Sequence, residues 1–202
     1  MSNINESFFF NQVRLNLFDG TLRAGQVVGL KAIINLWTQS FANNDDRWLA
    51  YALATAHHET DRKIAPIHEY GGDKYFHDRY DPKGSRPHVA RQLGNDQEGD
   101  GVLFHGRGFV QLTGRRNYSD WAKRLNLPLL TQPDLVLQPA TAAHILLEGM
   151  RLGTFTKYKL ADFFSGAKAD WKGARKIING TDKADLIASY GLKYYAAISY
   201  TT

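Results

Sequence analysis

Cysteine is absent from all 202 residues of the chain, and this absence excludes two kinds of stabilising structure. Neither a disulfide framework nor a zinc site with thiolate ligands can form, so the folded state depends on side-chain packing. A chain without cysteine also suits the reducing environment of a cytoplasm. We therefore expect synthesis in the cytoplasm and a fold held together by an apolar core.

Long apolar segments are missing as well. The sequence has no run of about eighteen apolar residues, the length at which a helix can span a bilayer. The start, MSNINESFFFNQVRLNLFDG, is polar and carries Glu6 before a short apolar patch, unlike the basic start and long apolar run of a secretory signal. We expect no signal peptide and no stable membrane association.

The chain shows no linker, low-complexity tract or internal repeat between Asn5 and Ile198. Hydrophobic residues make up 43% of it and charged residues 22%, which is ordinary for a folded globular protein. A chain of 202 residues is long enough for one sizeable core and short for two ordinary domains. We expect a single domain over residues 1–202, and a monomer.

Basic residues outnumber acidic ones, 25 against 20, which gives a net charge of +5 and a pI of about 9.3. This surplus favours association with anionic polymers, and both nucleic acid and bacterial cell wall qualify. The basic residues are scattered, with Arg107, Arg115 and Arg116 as the nearest approach to a cluster. Charge alone does not choose the partner.

Helical periodicity dominates the sequence, because apolar residues recur at three- and four-residue spacing. The segments with this pattern are 8–17, 24–41, 45–58, 117–125, 139–152, 171–178 and 183–200. Asp45 or Asp46 can cap the third helix, which places Glu59 near its C-terminal end. Residues 61–108 are rich in Gly, Pro, Asp and His and predict loops with at most a small β-hairpin. The expected fold is mainly α, with helices flanking a loop-rich cleft.

Two glutamates are candidates for acid–base chemistry. Glu59 ends a largely apolar helix, where desolvation favours the protonated form of a carboxyl group. Glu69 follows in PIHEYGG, within the predicted loops, and could supply a second carboxylate. Cleavage of a glycosidic bond requires such a pair: one group protonates the leaving oxygen and the other activates water or attacks the sugar. Spacing alone leaves open the alternative that both are ordinary surface charges.

Four histidines, His57, His58, His68 and His77, lie close to Glu59 in the sequence and raise the question of a metal site. Their spacing does not match HExxH, since adjacent residues on a helix point about 100° apart. We therefore expect hydrogen bonding or substrate contact rather than a metal, with His58 as the substrate-binding residue.

Two further segments carry polar groups in a glycine-rich context. GRGFVQLTGRRNY, residues 106–118, offers the neutral side chains of Gln111, Thr113, Asn117 and Tyr118, which suit sugars, but the segment lacks the order and the lysine of a phosphate-binding loop. The alternative is a turn, a short strand and a helix with Tyr118 in the core. KIINGTDKADL contains an Asn-Gly turn that needs no further function.

In combination, HHET at 57–60, GRGFVQLTGRRNY at 106–118 and ING at 178–180 resemble the pattern of glycoside hydrolase family 19, which contains chitinases and many phage endolysins. The resemblance implies a lysozyme-like α-helical fold with a substrate cleft, inverting hydrolysis of β-1,4 bonds between N-acetylated sugars, and no cofactor. It implies Glu59 as the general acid and Thr113 as the residue that helps to hold the attacking water. The residues matched to sugar binding are Gln111, Asn117, Tyr118 and Asn179.

The second carboxylate is matched less closely. Glu69 is expected to be the general base by analogy with phage-type members, and Glu98 in NDQEGDG is the alternative. An inverting mechanism would place the two carboxyl groups about 6.5–9.5 Å apart. Phe109 stands where many plant members have proline, and with the lack of cysteine this favours the phage or bacterial branch.

The resulting hypothesis is a single-domain endolysin that cleaves the peptidoglycan sugar strand, acts on the cell wall after release from the host cytoplasm, and lyses bacteria. A chitinase and a non-catalytic wall-binding module are the alternatives, and which glycosidic bond is cut stays open. A nucleic-acid partner is not expected, because the basic charge is scattered and no nucleic-acid-binding motif is recognisable.

Overall fold

The computed structural model describes residues 4–199, and helices dominate this part of the chain. The α-helices are α1 (Glu6–Leu17), α2 (Ala24–Leu36), α3 (Asp46–Glu59), α4 (Asp73–Tyr80), α5 (Pro87–Leu93), α6 (Asp100–Leu103), α7 (Arg115–Leu125), α8 (Pro139–Leu152) and α9 (Ala184–Ile198). A π-helix covers Trp37–Phe41, and 3-10 helices cover Pro133–Leu137, Leu160–Asp162 and Gly173–Ile177. None of the helices in this part of the chain combines the length and the apolar composition that crossing a membrane requires.

Two antiparallel sheets, each of two very short strands, accompany the helices. The strands are β1 (Ile67–His68), β2 (Arg107–Gly108), β3 (Phe164–Ser165) and β4 (Lys168–Ala169). β1 pairs with β2, so that His68 lies opposite Arg107, and β3 forms a hairpin with β4. The β1–β2 pair joins the start of the predicted loop region to its end.

The chain divides into two compact units, each of which is described by itself. The first contains the residues up to Ala65 and those from Ala143 onward, and the second contains Pro66–Ala142. The single domain expected over residues 1–202 stays a prediction.

α3 forms the centre of the first unit. The carboxylate of Asp45 accepts a hydrogen bond from the backbone N–H of Arg47 at 3.0 Å and caps the helix, as predicted. Every residue from Leu49 to His57 is buried, so other elements surround most of the helix. α9 packs along α3. Gly191 of α9 makes room for the ring of Trp171, since a Cβ there would lie 2.8 Å from that ring.

His57 belongs to this core. Its ring stacks on Tyr190 with centroids 4.3 Å apart, lies 4.8 Å from the ring of Phe18, and its Nδ1 is 3.0 Å from the Tyr194 hydroxyl. Burial lowers the pKa of His57 to about 4, so the imidazole is neutral in the folded protein at neutral pH.

The turn that follows α3 has an uncommon backbone conformation. Asp61, Arg62 and Ile64 all have positive φ, at 49°, 62° and 45°, a region that residues with a side chain seldom occupy. Thr60 Oγ1 accepts a hydrogen bond from the N–H of Ile64 at 2.9 Å. Gly29 of α2 lies against this turn, because a Cβ on Gly29 would fall 1.6 Å from the carbonyl oxygen of Ile64. The turn after Glu59 therefore depends on the missing side chain at Gly29.

The second unit contains three helices, α4, α5 and α6, where the sequence predicts mostly loops, so that prediction is wrong for residues 73–103. α4 buries only Phe76 and Tyr80, and α6 is four residues long. Helices of this length with so few buried side chains give no sustained apolar period.

Buried polar side chains hold these short helices together. Asn95 donates from Nδ2 to the carbonyl oxygen of Tyr80 at 2.8 Å and accepts from the backbone N–H of Arg115 at 2.7 Å. The guanidinium of Arg115 also makes a two-pronged ion pair with the buried carboxylate of Asp100. Satisfied polar groups thus replace part of the apolar contact that longer helices would provide.

The remaining boundaries differ in detail. The helix predicted over residues 24–41 is α2 continued by the π-helix, and the helix predicted over 171–178 is only the 3-10 helix Gly173–Ile177. The helix predicted over 183–200 is α9, and its predicted last residue, Tyr200, lies outside the described residues.

Replacing Gly29 with alanine tests the close approach between α2 and the turn. We expect Gly29→Ala to lower the free energy of unfolding by about 1–3 kcal/mol, because the added methyl must displace the backbone of Ile64. Urea unfolding measures this. The matched control is Gly25→Ala in the same helix, where a Cβ would meet nothing within 4 Å. That variant should be neutral or more stable by up to about 1 kcal/mol; equal effects of the two changes would contradict the packing.

The buried His57 predicts a pH dependence of stability. Its folded pKa of about 4 lies below the ordinary 6.5, so its contribution is complete above pH 6.5 and is lost as the pH falls toward 4, because the unfolded chain takes up the proton first. The loss amounts to about 3 kcal/mol. Urea unfolding between pH 7 and pH 4 should show a shallower dependence for His57→Gln than for the wild type. His88→Gln, at an exposed position, should keep the full dependence; an unchanged slope in His57→Gln would contradict the assignment.

Candidate functional site

Glu59 is the last residue of α3, in the first unit, and its carboxylate is held by a buried cation. Arg175 NH1 donates to Glu59 Oε1 at 2.5 Å; the Arg175 side chain is 3% exposed and that of Glu59 is 20% exposed. The sequence predicts the helix end correctly, but it predicts apolar surroundings for the carboxyl group. The structure differs on this point, because the buried guanidinium of Arg175 lies against the carboxyl group.

Arg175 is positioned by the segment around the ING residues. It lies in the 3-10 helix Gly173–Ile177, its Nε donates to the carbonyl oxygen of Asp182 at 2.9 Å, and its own carbonyl accepts from the N–H of Asn179 at 3.0 Å. The structure therefore brings Asn179, an exposed residue, into the same turn as the partner of Glu59. Sequence reasoning missed Arg175 as the partner of Glu59.

The two histidines before Glu59 differ in their surroundings. His57 is packed in the core as described above, whereas His58 is half-buried. A role for His58 in substrate binding stays a prediction. Among residues 4–199, no three His, Cys, Asp or Glu side chains are grouped so that they could hold a metal ion.

Glu69 follows β1 in the second unit, and two donors hold its carboxylate. The hydroxyl of Tyr80 donates to Oε1 at 2.7 Å, and the backbone N–H of Gly106 donates to Oε2 at 3.2 Å. Burial and the hydrogen bond to Glu69 hold the pKa of the Tyr80 hydroxyl well above its usual range, so that it stays protonated and donates. Both bonds fix the position of the Glu69 carboxylate.

Gly106 brings Glu69 and Gln111 together. A Cβ on Gly106 would lie 2.9 Å from Gln111 Oε1 and 3.0 Å from Glu69 Oε2, so these two oxygens are close neighbours. Gln111 has a positive φ of 54°, and its Nε2 donates to the carbonyl oxygen of Ile67 in β1 at 3.2 Å. A side chain at the first glycine of the GRG motif would therefore displace the ends of Glu69 and Gln111.

The other polar residues of this motif form a chain of hydrogen bonds. Asn117 Nδ2 donates to the carbonyl oxygen of Thr113 at 2.7 Å, and Thr113 Oγ1 donates to the carbonyl oxygen of Gln111 at 2.8 Å. Because its proton is committed to Gln111, the Thr113 hydroxyl can present its lone pairs only as an acceptor. Thr113, Asn117 and Gln111 are each half-buried, which leaves part of each side chain within reach of a ligand.

Tyr118 has no exposed surface. Its hydroxyl donates to the carbonyl oxygen of His105 at 3.1 Å and accepts from Arg107 NH1 at 3.1 Å. This is the core position that the sequence leaves open as the alternative to sugar binding. Direct contact between this ring and a sugar would require the surrounding core to open.

Glu98, the alternative base, is exposed. Its carboxylate pairs with the equally exposed Lys83 at 2.6 Å. An exposed ion pair of this kind is weak and leaves the side chain mobile in water. Glu69 has the more precisely fixed carboxylate of the two.

Comparisons with known proteins find matches only among solved structures. No protein-family model matches the chain, and no curated protein matches it significantly. Chitinase C from Streptomyces griseus HUT6037 matches with a TM-score of 0.59 and 20% identity, over 98% of this chain and 78% of that one. A mutant of chitinase C matches with a TM-score of 0.54 and 20% identity, over 98% and 94% of the two chains. A bacterial family 19 chitinase matches at 0.41 and 18% identity, over 93% and 94%, which is too weak to carry an argument.

At this level of identity the comparison shows the fold and nothing finer. The predicted fold class, mainly α and lysozyme-like, is confirmed: this chain has the fold of chitinase C.

Proposed function

We propose that the protein is a glycoside hydrolase that cleaves β-1,4 bonds in polymers of N-acetylated sugars. The observation that carries the proposal is a pair of partly exposed glutamates, Glu59 and Glu69, each held by a buried donor in a chain with the fold of chitinase C. Hydrolysis of a glycosidic bond needs two carboxyl groups with different tasks. The different partners of the two glutamates suit such a division.

Glu59 is the proposed general acid. Arg175 binds Oε1, so the proton that passes to the leaving oxygen is carried on Oε2. The ion pair fixes the direction of the carboxyl group and counters its negative charge once the proton has been given away. A rigidly placed acid of this kind contributes about 10²- to 10⁴-fold to a rate.

Glu69 is the proposed general base. Tyr80 and Gly106 donate to its two oxygens and hold the carboxylate in a fixed position. Thr113 has only lone pairs to offer, so its hydroxyl would accept one hydrogen of the attacking water while Glu69 takes the other.

The proposed reaction is a single displacement. Water attacks the anomeric carbon as Glu59 protonates the departing oxygen, the bond between that carbon and the leaving oxygen breaks, and Glu69 keeps the proton of the water. The configuration at the anomeric carbon is inverted. None of these steps calls for a cofactor.

Peptidoglycan is the proposed substrate, and lysis of bacteria by a single catalytic domain is the proposed role. The net charge of +5 supports binding to an anionic wall, and the phage-like variant of the GRG motif points to an endolysin. Chitin is the second candidate, because the protein that this chain matches in structure is a chitinase.

Substitution of the glutamates tests the proposed chemistry. Glu59→Gln and Glu69→Gln should each lower kcat for release of reducing ends by at least about 100-fold, because each removes one proton-transfer step. Glu98→Gln, at an exposed carboxylate, should leave kcat unchanged. Urea unfolding of each variant separates lost chemistry from lost folding. Full activity of Glu59→Gln would exclude it as the acid, and inactivity of Glu98→Gln with activity of Glu69→Gln would transfer the role of base.

The substrate is tested by digesting purified peptidoglycan and chitin oligosaccharides side by side. We expect faster release of reducing ends from peptidoglycan, and mass spectrometry of the fragments identifies which sugar becomes the new end. Efficient cleavage of chitin without cleavage of peptidoglycan would replace the endolysin by a chitinase. Binding to walls without cleavage of either polymer would indicate a binding module.

A further inference from the structure

His68, the residue before Glu69, is an exposed side chain with an unusually well-defined partner. Its Nδ1 lies 2.9 Å from Nε2 of His105, which is buried. The Nδ1 atom of His105 lies in turn 2.6 Å from the carbonyl oxygen of Val102. Exposed side chains usually hydrogen-bond to water, so a hydrogen bond between an exposed histidine and a buried one is unusual.

The chain of contacts determines where the protons are. A carbonyl oxygen only accepts, so His105 Nδ1 must carry a proton and donate it to Val102. Burial lowers the pKa of His105, which keeps the ring neutral, and its Nε2 therefore has no proton. This bare nitrogen accepts from His68, so His68 carries its proton on Nδ1. In this tautomer His68 has a bare Nε2, which is a hydrogen-bond acceptor.

One helix supports both His68 and Glu69. Phe76 of α4 stacks on the ring of His105, with centroids 4.3 Å apart and planes at 5°. Tyr80, one turn later on α4, donates to the carboxylate of Glu69. Residues four apart share a helix face, so α4 holds the imidazole behind His68 and the carboxylate of Glu69 in one rigid arrangement.

We propose that His68 is a substrate-binding residue, which presents Nε2 beside Glu69 as an acceptor for a sugar hydroxyl or an acetamido N–H. His105 is a positioning residue that acts through His68, by setting both the orientation of its ring and the nitrogen that lacks a proton. The proposal rests on the proposed function and adds a contact that recognises a donor group of the N-acetylated sugar. Water can hydrogen-bond to His68 at this exposed position, so stability of the His68 ring does not by itself require His105.

Kinetics with matched variants tests the contact. His68→Phe keeps an aromatic ring without the acceptor, and we expect it to raise KM about 5- to 10-fold with little change in kcat, the loss of one hydrogen bond in substrate binding. His68→Gln keeps an acceptor and should recover part of the difference. His88→Phe, at another exposed histidine of the same unit, should match the wild type. Unchanged KM in His68→Phe, with the wild type active, would overturn the contact and leave the proposed function standing.

Nitrogen NMR tests the tautomer without relying on turnover. In protein labelled with ¹⁵N at histidine and inactivated by Glu59→Gln, His68 should show a protonated Nδ1 and a bare Nε2, and N-acetylglucosamine oligosaccharides should shift the Nε2 resonance. His105→Phe should abolish the preference for one tautomer. A protonated Nε2 in the free protein, or a resonance that oligosaccharide leaves in place while it shifts others, would refute the proposal. If the wild type cleaves neither polymer, the proposed function fails and this contact fails with it.

Discussion

The ion pair between Arg175 and Glu59 is the interaction on which the proposed chemistry of the first unit depends. A carboxylate at the end of a buried helix would be costly if its charge were left without a partner, and Arg175 supplies one from the segment before α9. The same interaction holds Glu59 Oε1, and Oε2 is the oxygen proposed to carry the proton. In the second unit, the carboxylate of Glu69 is held by two hydrogen bonds instead of a cation, because Tyr80 and Gly106 donate to its two oxygens. The two glutamates thus have different partners, and the roles of acid and base are proposed for them.

α4 gives the second unit its organisation. Its side chains reach Glu69 directly and His68 through His105, while Asn95 and Asp100 anchor the neighbouring short helices with hydrogen bonds. Helices this short have little apolar surface to bury, so polar contacts fix much of the structure of this unit. Gly106 belongs to this arrangement, because a side chain there would displace the ends of Glu69 and Gln111.

Sequence patterns predicted the long elements and missed the short ones. α1, α3, α8 and α9 were recognisable because each has several turns of apolar periodicity, and Asp45 marked the start of α3. α4 was not predicted, because only two of its side chains are buried. Arg175 escaped for another reason: its contact with Glu59 joins residues 116 positions apart, and no local pattern reports such a pairing. The motif around Gln111 and Thr113 was recognisable from the sequence, and the core position of Tyr118 is the alternative that the sequence left open.

The configuration of the first product tests the central claim most directly, because it reports the division of labour between the two glutamates in a single turnover. Proton NMR of a polymer digest, recorded before the reducing ends equilibrate, distinguishes the α from the β anomer. A single displacement with Glu59 as acid and Glu69 as base predicts that the α anomer appears first from a β-1,4 bond. Initial release of the β anomer would show retention through a covalent intermediate and would contradict the account.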